Sequence, residues 1–269
     1  MVARSLRDVS RRRPRRDHPP GPPSGSQGPV ETVYGLRAGL AVFDRRRQDV
    51  ERIAFARAAR AEVHPLVRWA AAQGVPCQEV PEGELERLAR SQQHEGLCIV
   101  ARSRRWSTPA ELADAVGRSR GVAMALDRVR NPYNVGAILR SAAFFGVAGV
   151  LLGAPAPHPG LATTAVRVAE GGVERLAMAR TTDLAQTLAA MRARGIHVFG
   201  ADGHAPTSAL GFAFARPALL VVGHEREGLG DRIRAQCDAL VAIPGGGGVD
   251  SLNVAVATGV LLAELTRRR

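Results

Sequence analysis

The sequence predicts an α/β protein in two units: a helix-covered parallel sheet over residues 121–269, and a smaller α/β unit over 30–102. Three observations carry this. Short, continuously apolar runs alternate with amphipathic stretches of helical length, the pattern of strands buried on both faces between helices. A polar interval at 103–120 separates two such runs of alternation. The length, 269 residues, suits two domains of ordinary size better than one.

In chain order, residues 1–29 hold seven arginines (Arg4, Arg7, Arg11, Arg12, Arg13, Arg15 and Arg16), two aspartates and six prolines. Almost nothing there is apolar enough to bury, so a disordered basic tail is expected. It is either a loose electrostatic tether to a polyanion or a solvated extension with no selected role. The 30–102 unit then reads as helix 35–47, strand 52–56, helix 65–73, strand 75–80, helix 84–90 and strand 97–101. The 103–120 interval reads as a linker with one short helix, 109–116. From 121 onward, strands are expected at 122–126, 149–152, 196–200, 218–222 and 240–243. Helices are expected at 134–145, 163–170, 184–194, 231–237 and 251–266.

Charge narrows the partner. The 37 basic residues, all arginine, outnumber 25 acidic ones for a net +12. Arginine stays charged at any cellular pH, and its planar fork matches phosphate oxygens, which favours nucleic acid over a small neutral substrate. No run approaches the roughly 18 apolar residues needed to cross a bilayer, and no apolar stretch follows the charged N-terminus as in a secretory signal. A cytoplasmic protein with no membrane partner is expected. Cys77, Cys98 and Cys237 are too far apart for a disulfide framework or a zinc site, and no metal is expected.

Ligands of open parallel sheets sit beyond the carboxyl ends of the strands, so the loops that follow the strands are where chemistry is sought. The first opens the helix at 134–145. Val135, Ile138, Leu139 and Ala142 mark its core face, and Asn134 is placed to cap it. Gly136 and Arg140 fall one turn apart on the other side. Arg140 is therefore either one more solvated arginine beside a helix-packing glycine, or a group presented to a molecule approaching over Gly136. The second loop, residues 223–230, brackets Glu225 with Gly223 and Gly228, which permits a tight turn and close backbone approach to a ligand. The third runs from Ile243-Pro244 through four glycines, Gly245 to Gly248, into Asp250-Ser251-Leu252-Asn253-Val254. Asp250 or Ser251 is expected to cap the last helix. That helix is apolar nearly all round and should be buried against other helices or a second subunit. Asn253 is its polar exception, and a buried amide there must find partners. No GxGxxG follows the first strand of this half and no GxxxxGK[ST] occurs anywhere, so the familiar nucleotide-binding loops are excluded. His224-Glu225 lacks a second histidine at metal spacing.

Taken together, these residues resemble the SpoU family of the SPOUT methyltransferase superfamily. Its first motif, Asn-x-Gly-x-x-x-Arg, falls on Asn134, Gly136 and Arg140. The second, Gly-x-Glu-x-x-Gly, falls on Gly223, Glu225 and Gly228, and the third on Ile243, Pro244, Ser251, Leu252, Asn253 and Val254. The segment Arg167-Val168-Ala169-Glu170-Gly171-Gly172 is similar to the family's intermediate motif. Residues 33–101, with Tyr34-Gly35 and His94-Glu95-Gly96, resemble the ribosomal-protein-like RNA-binding domain that precedes many such enzymes.

The resemblance implies a trefoil-knotted methyltransferase domain and a homodimer that transfers a methyl group from S-adenosylmethionine to a ribose 2′-hydroxyl of rRNA or tRNA. It implies cofactor contacts at Gly223, Gly228, Ile243 and Leu252, and a catalytic centre of Asn134, Arg140, Glu225, Ser251 and Asn253. The glycine run departs from the family, which commonly has a Met soon after the Pro, and implies a looser cofactor loop. An inactive RNA-binding relative, or a superfamily member that methylates a base, are the competing readings; the Ser-Leu-Asn motif favours ribose. A guanidinium is a poor proton acceptor, so Arg140 is expected to clamp an RNA phosphate, leaving a phosphate oxygen or water as base.

Overall fold

The structure is a computed structural model that describes residues 28–155 and 160–267. The expected basic tail lies, apart from its last two residues, outside the described residues. A first sheet, ordered β1-β4-β2-β3, is built from β1 (Val30–Tyr34), β2 (Val50–Phe55), β3 (Cys77–Glu79) and β4 (Leu97–Arg102). It carries α1 (Leu36–Arg46), α2 (His64–Gln73) and α3 (Glu82–Ala89). β4 lies antiparallel to both β1 and β2, and only β2–β3 is parallel. Helix α4 (Pro109–Ser119) follows, started by a capping box in which Thr108 and Glu111 satisfy each other's backbone N–H.

The second sheet has six strands, all parallel, in the order β10-β8-β9-β5-β6-β7. Its elements are β5 (Val122–Asp127), α5 (Pro132–Phe144), β6 (Gly149–Gly153), α6 (Thr163–Val168), β7 (Ala177–Thr181), α7 (Leu184–Arg192), β8 (His197–Ala201), β9 (Ala218–Val222), α8 (Asp231–Arg234), β10 (Ala239–Val241) and α9 (Val254–Thr266). Alternation along each strand sorts the core into two layers. Met124, Leu126 and Val222 face Ile138, Leu139 and Leu261 on one side. Ala123, Ala125 and Val221 face Leu112, Leu188 and Ile233 on the other. Helix α4, expected in a linker, thus forms part of this sheet's cover. The chain belongs to the α/β class with a parallel sheet, as the alternation predicts.

Two strands were absent from the expectation, β1 and β7. Both are sheet edges, where one flank of the strand is unpaired and polar residues are tolerated. Glu31, Thr32 and Arg180 interrupt any apolar run there. Helix α9 is covered within the chain on one side only. Thr258, Leu261, Leu262 and Leu265 are buried, but Val256 is 55% exposed, so one apolar flank stays open.

A ring of charge joins the two sheets. Arg46 on α1 donates to Glu174 at 2.9 Å and to Glu31 at 2.6 Å, and to the Arg102 carbonyl at 2.7 Å. Arg104 closes the ring, 3.2 Å from each of the same two carboxylates. Burial alone lowers the Arg46 pKa, but Glu174 and Glu31 outweigh it and hold the guanidinium firmly charged. The Glu174 side chain is only 5% exposed, so removing it leaves two arginines with one carboxylate in a poorly solvated place. Glu174→Ala is expected to cost about 3 kcal/mol, the lower end for a broken buried pair because Glu31 remains. Urea unfolding measures this, and a loss within about 0.5 kcal/mol, as at an ordinary surface site, contradicts it.

Candidate active site

Three loops meet at the carboxyl ends of β5, β9 and β10. After β5 the chain turns through Arg128 and enters α5 at Pro132, capped by Asn131, whose Oδ1 accepts from Tyr133 N–H at 2.9 Å. The cap is therefore Asn131 and not Asn134. Proline suits the first helical position, where the missing N–H is lost at no cost, and it starts the helix early. Asn134 then lies inside the first turn with its side chain free for other work. Its Nδ2 donates to Glu225 Oε1 at 3.2 Å, and its Oδ1 accepts from Asn253 Nδ2 at 3.1 Å.

Glu225 sits on a loop closed tightly after β9: His224 N–H donates to the Gly228 carbonyl at 3.1 Å, and Gly228 N–H returns a bond at 2.9 Å. A Cβ on Gly223 would fall 2.4 Å from the Gly228 carbonyl, so only glycine permits this closure. Arg128, anchored on buried Asp127 at 3.2 Å, reaches Glu227 at 2.6 Å and ties the loop to β5. Burial pushes the Glu225 pKa up, but its own backbone N–H, the Asn134 amide and the Asn131 N–H together hold the carboxyl below its ordinary value. It is ionised at neutral pH and accepts hydrogen bonds.

The third loop runs without regular structure until Asn253, whose Oδ1 accepts from Ala255 N–H at 2.8 Å and Val256 N–H at 3.4 Å. Asn253, and neither Asp250 nor Ser251, caps α9. Nor is it buried; its amide is exposed and bonded at both ends.

Two cavities adjoin here. A polar one of about 480 Å³ is lined by Asn131, Asn134, Glu225, Ser251 and Asn253, with Arg130 and Arg226 at its edge. A larger one of about 850 Å³ is lined by Gly223, Gly228, Ile243, Leu252 and the glycine run 245–248. His224, Glu225, Ser251, Leu252 and Val254 border both. The larger volume suits a small-molecule site, typically about 300–1,000 Å³. Val222, Val241 and Leu261 offer an apolar wall to a planar base, while the glycine run offers unshielded backbone. The residues present thus fit S-adenosylmethionine.

Arg140 stands apart from the other candidates. It lines neither cavity and pairs with Glu170 at 2.8 Å, its side chain 58% exposed. Gly136 beside it is no open approach. A Cβ there would meet Val168 at 2.6 Å and the Ala165 carbonyl at 2.7 Å, so the glycine seats α5 on α6. Two further residues border the cavities: His224, considered in the sequence only as a metal ligand, and Asp202, which the sequence reading missed. His224 borders both cavities, and its Nδ1 accepts from Arg226 and Glu227 N–H at 3.3 Å. Asp202, also on the larger cavity's wall, pairs with Arg234. Its signal was its place just past the end of β8, a strand end that none of the three glycine-marked loops includes. Among the described residues no His/Cys/Asp/Glu cluster has the geometry of a metal site, and no helix is long and apolar enough to cross a membrane.

The SpoU rRNA Methylase family matches residues 121–263, and the family described as RNA 2′-O ribose methyltransferase substrate binding matches residues 32–107. A Mycobacterium avium protein described as an uncharacterized tRNA/rRNA methyltransferase is 34% identical over 265 residues, covering 95% of this chain and 83% of the relative. The crystal structure of an S-adenosylmethionine-bound rRNA methyltransferase from Sinorhizobium meliloti is similar at a TM-score of 0.72 and 26% identity. It covers 88% of this chain and 86% of that one. A SpoU methyltransferase from Streptomyces viridochromogenes, also with this cofactor, shares the fold at a TM-score of 0.73 and 23% identity, over 88% and 89% of the two chains.

Gly223→Ala tests the closed loop directly. The new methyl forces residues 223–228 apart, so S-adenosylmethionine affinity by calorimetry is expected to fall about tenfold or more while circular dichroism is retained. Unchanged affinity would remove this loop from the cofactor site.

Proposed function

The chain belongs to the SpoU rRNA methylase family of S-adenosylmethionine-dependent methyltransferases, and we propose that it methylates a ribose 2′-hydroxyl of ribosomal or transfer RNA. The observation that carries this is the Glu225–Asn134–Asn253 run of hydrogen bonds at the border between the polar and the apolar cavity. The backbone around Gly223, Gly228, Ile243 and Leu252 would hold the cofactor, which supplies an electrophilic methyl carbon on a sulfonium. Glu225, kept ionised, sets fixed negative charge beside that position. Asn134, Ser251 and Asn253 offer fixed polar groups to a sugar hydroxyl in the smaller cavity, and such positioning supplies much of the barrier reduction in a two-reactant step. Bound there, the cofactor would give up its methyl group to the hydroxyl oxygen and leave as a neutral thioether. The hydroxyl proton passes to an RNA phosphate oxygen or to water. Arg140 grips the RNA phosphate.

In this reading residues 30–102 bind substrate RNA, 103–120 lead from that unit into the cover of the second sheet through α4, and the tail 1–29 adds electrostatic affinity. The C-terminal segment, whose helix α9 packs on α5, threads a trefoil knot, and two chains form a homodimer in the cytoplasm. Exposed Phe144 and Tyr133 on α5 and Val256 on α9 support the dimer, since adjacent helices carrying large uncovered apolar groups mark an interface; a single-chain mass in sedimentation would remove it. Incubating the protein with unmodified rRNA and tRNA and methyl-labelled cofactor, then digesting to nucleosides, tests the chemistry. Label is expected in a 2′-O-methylnucleoside by mass spectrometry. Label in base-methylated nucleosides, or RNA binding with no transfer, overturns it.

A further inference from the structure

The intermediate motif Arg167–Gly172 lines neither cavity, and its turn lies between the two halves of the molecule. Gly171, at φ 84°, lies against α1, where a Cβ would sit 2.6 Å from the Ala41 Cβ and 3.4 Å from the Arg37 carbonyl. Gly172 lies against α5, where a Cβ would sit 3.0 Å from the Leu139 carbonyl and 3.2 Å from the Arg140 Cα. The pair of glycines therefore seats this turn tightly between α1 on one side and α5 on the other. Glu170, just before them, holds φ 45°, a left-handed conformation costly to a residue with a Cβ, which persists only where its surroundings impose it. Its two carboxylate oxygens then serve one arginine from each half: Oε1 meets Arg140 at 2.8 Å and Oε2 faces Arg37 at 3.6 Å.

Two arginines on one carboxylate leave a net positive charge. Arg140 and Arg37 are 58% and 73% exposed, so most of their donors face solvent. A guanidinium carries five N–H donors in a fixed fork, so one edge can stay on Glu170 while another grips a phosphate. We infer that Glu170 is a positioning residue that aligns Arg140 with Arg37, and that the two arginines together bind the phosphodiester backbone of the RNA strand across both halves of the molecule. This rests on the reading of Arg140 as an RNA-gripping residue. It goes further in making the substrate-binding half contribute a residue to the same grip, so that the hydroxyl is presented only by a strand spanning both halves.

The test uses the full-length protein with unmodified RNA, under single-turnover and steady-state conditions at several salt concentrations. Arg37 is largely exposed, so Arg37→Ala folds normally. It is expected to raise KM for RNA several-fold with kcat unchanged, and to flatten the log–log salt dependence by roughly 0.7–0.9, the value of one lost phosphate contact. Glu170→Gln keeps the side chain's size and removes its charge. It is expected to lower kcat about tenfold or more, as misplacing a reacting group does. The Glu170→Gln, Arg140→Ala double variant is expected to be no slower than Arg140→Ala alone. If Arg140→Ala itself transfers methyl groups normally, the reading of Arg140 fails and the inference falls with it. If Arg140→Ala is crippled while Arg37→Ala keeps its KM and salt slope, or the Glu170 and Arg140 losses multiply, the inference alone is overturned.

Discussion

A directional run of hydrogen bonds organises the site, and the roles of the surrounding loops depend on it. Glu225 is ionised and only accepts, so Asn134 must turn its NH2 toward it. That leaves the Asn134 oxygen for the Asn253 NH2, and the Asn253 oxygen for the first N–H groups of α9. Each amide orientation is dictated by its neighbour, from a carboxylate at one end to a helix N-terminus at the other. A bond to a charged group contributes about 1.5–3 kcal/mol and a neutral one about 0.5–1.5 kcal/mol, enough in sum to hold three loops that the sheet alone does not hold to one another.

The sheet supplies the frame. β5 and β9 are neighbours near its middle and end side by side, so the residues just past them are adjacent by construction. The Asp127–Arg128–Glu227 chain then fixes the Glu225 loop against the end of β5. On the far side of α5, the turn at Glu170 and the buried ring of Arg46, Arg104, Glu31 and Glu174 bind the smaller sheet to this frame. The smaller α/β unit is thereby held in register with the larger one by charge as well as by packing.

Much of this was legible from residue order. Strands buried on both faces announce themselves as apolar runs, and glycines at their ends mark tight turns, which is why the β5, β9 and β10 loops were found. Edge strands β1 and β7 were hidden by the polar residues that edges tolerate. The cap positions went wrong for a local reason: Asn131 and Asn134 both suit a cap, and Pro132 decided for the earlier one. Asn253 was singled out for a buried amide's needs. It meets the same needs while exposed, because its partners come from Asn134, 119 residues away in sequence. Gly136 reads from sequence either as an opening or as a helix-packing glycine, and it is the latter; periodicity alone does not decide, since it locates the sheet face of α5 but is silent about α6. Arg140 was read beside the catalytic centre, whereas its partner Glu170 lies on a turn whose meaning emerges only when α1 and α5 are seen to pack on either side of it.

The claim that Glu225, Asn134 and Asn253 act as one unit is tested most directly by a double-mutant cycle on the methyl-transfer rate with Asn134→Ala and Asn253→Ser. Serine still caps α9 but has no NH2 to give Asn134. Each single variant is expected to be slow and the double variant no slower than the worse single, a coupling of about 1–2 kcal/mol between residues of one network. Losses that simply multiply would show the two amides working independently and contradict the account.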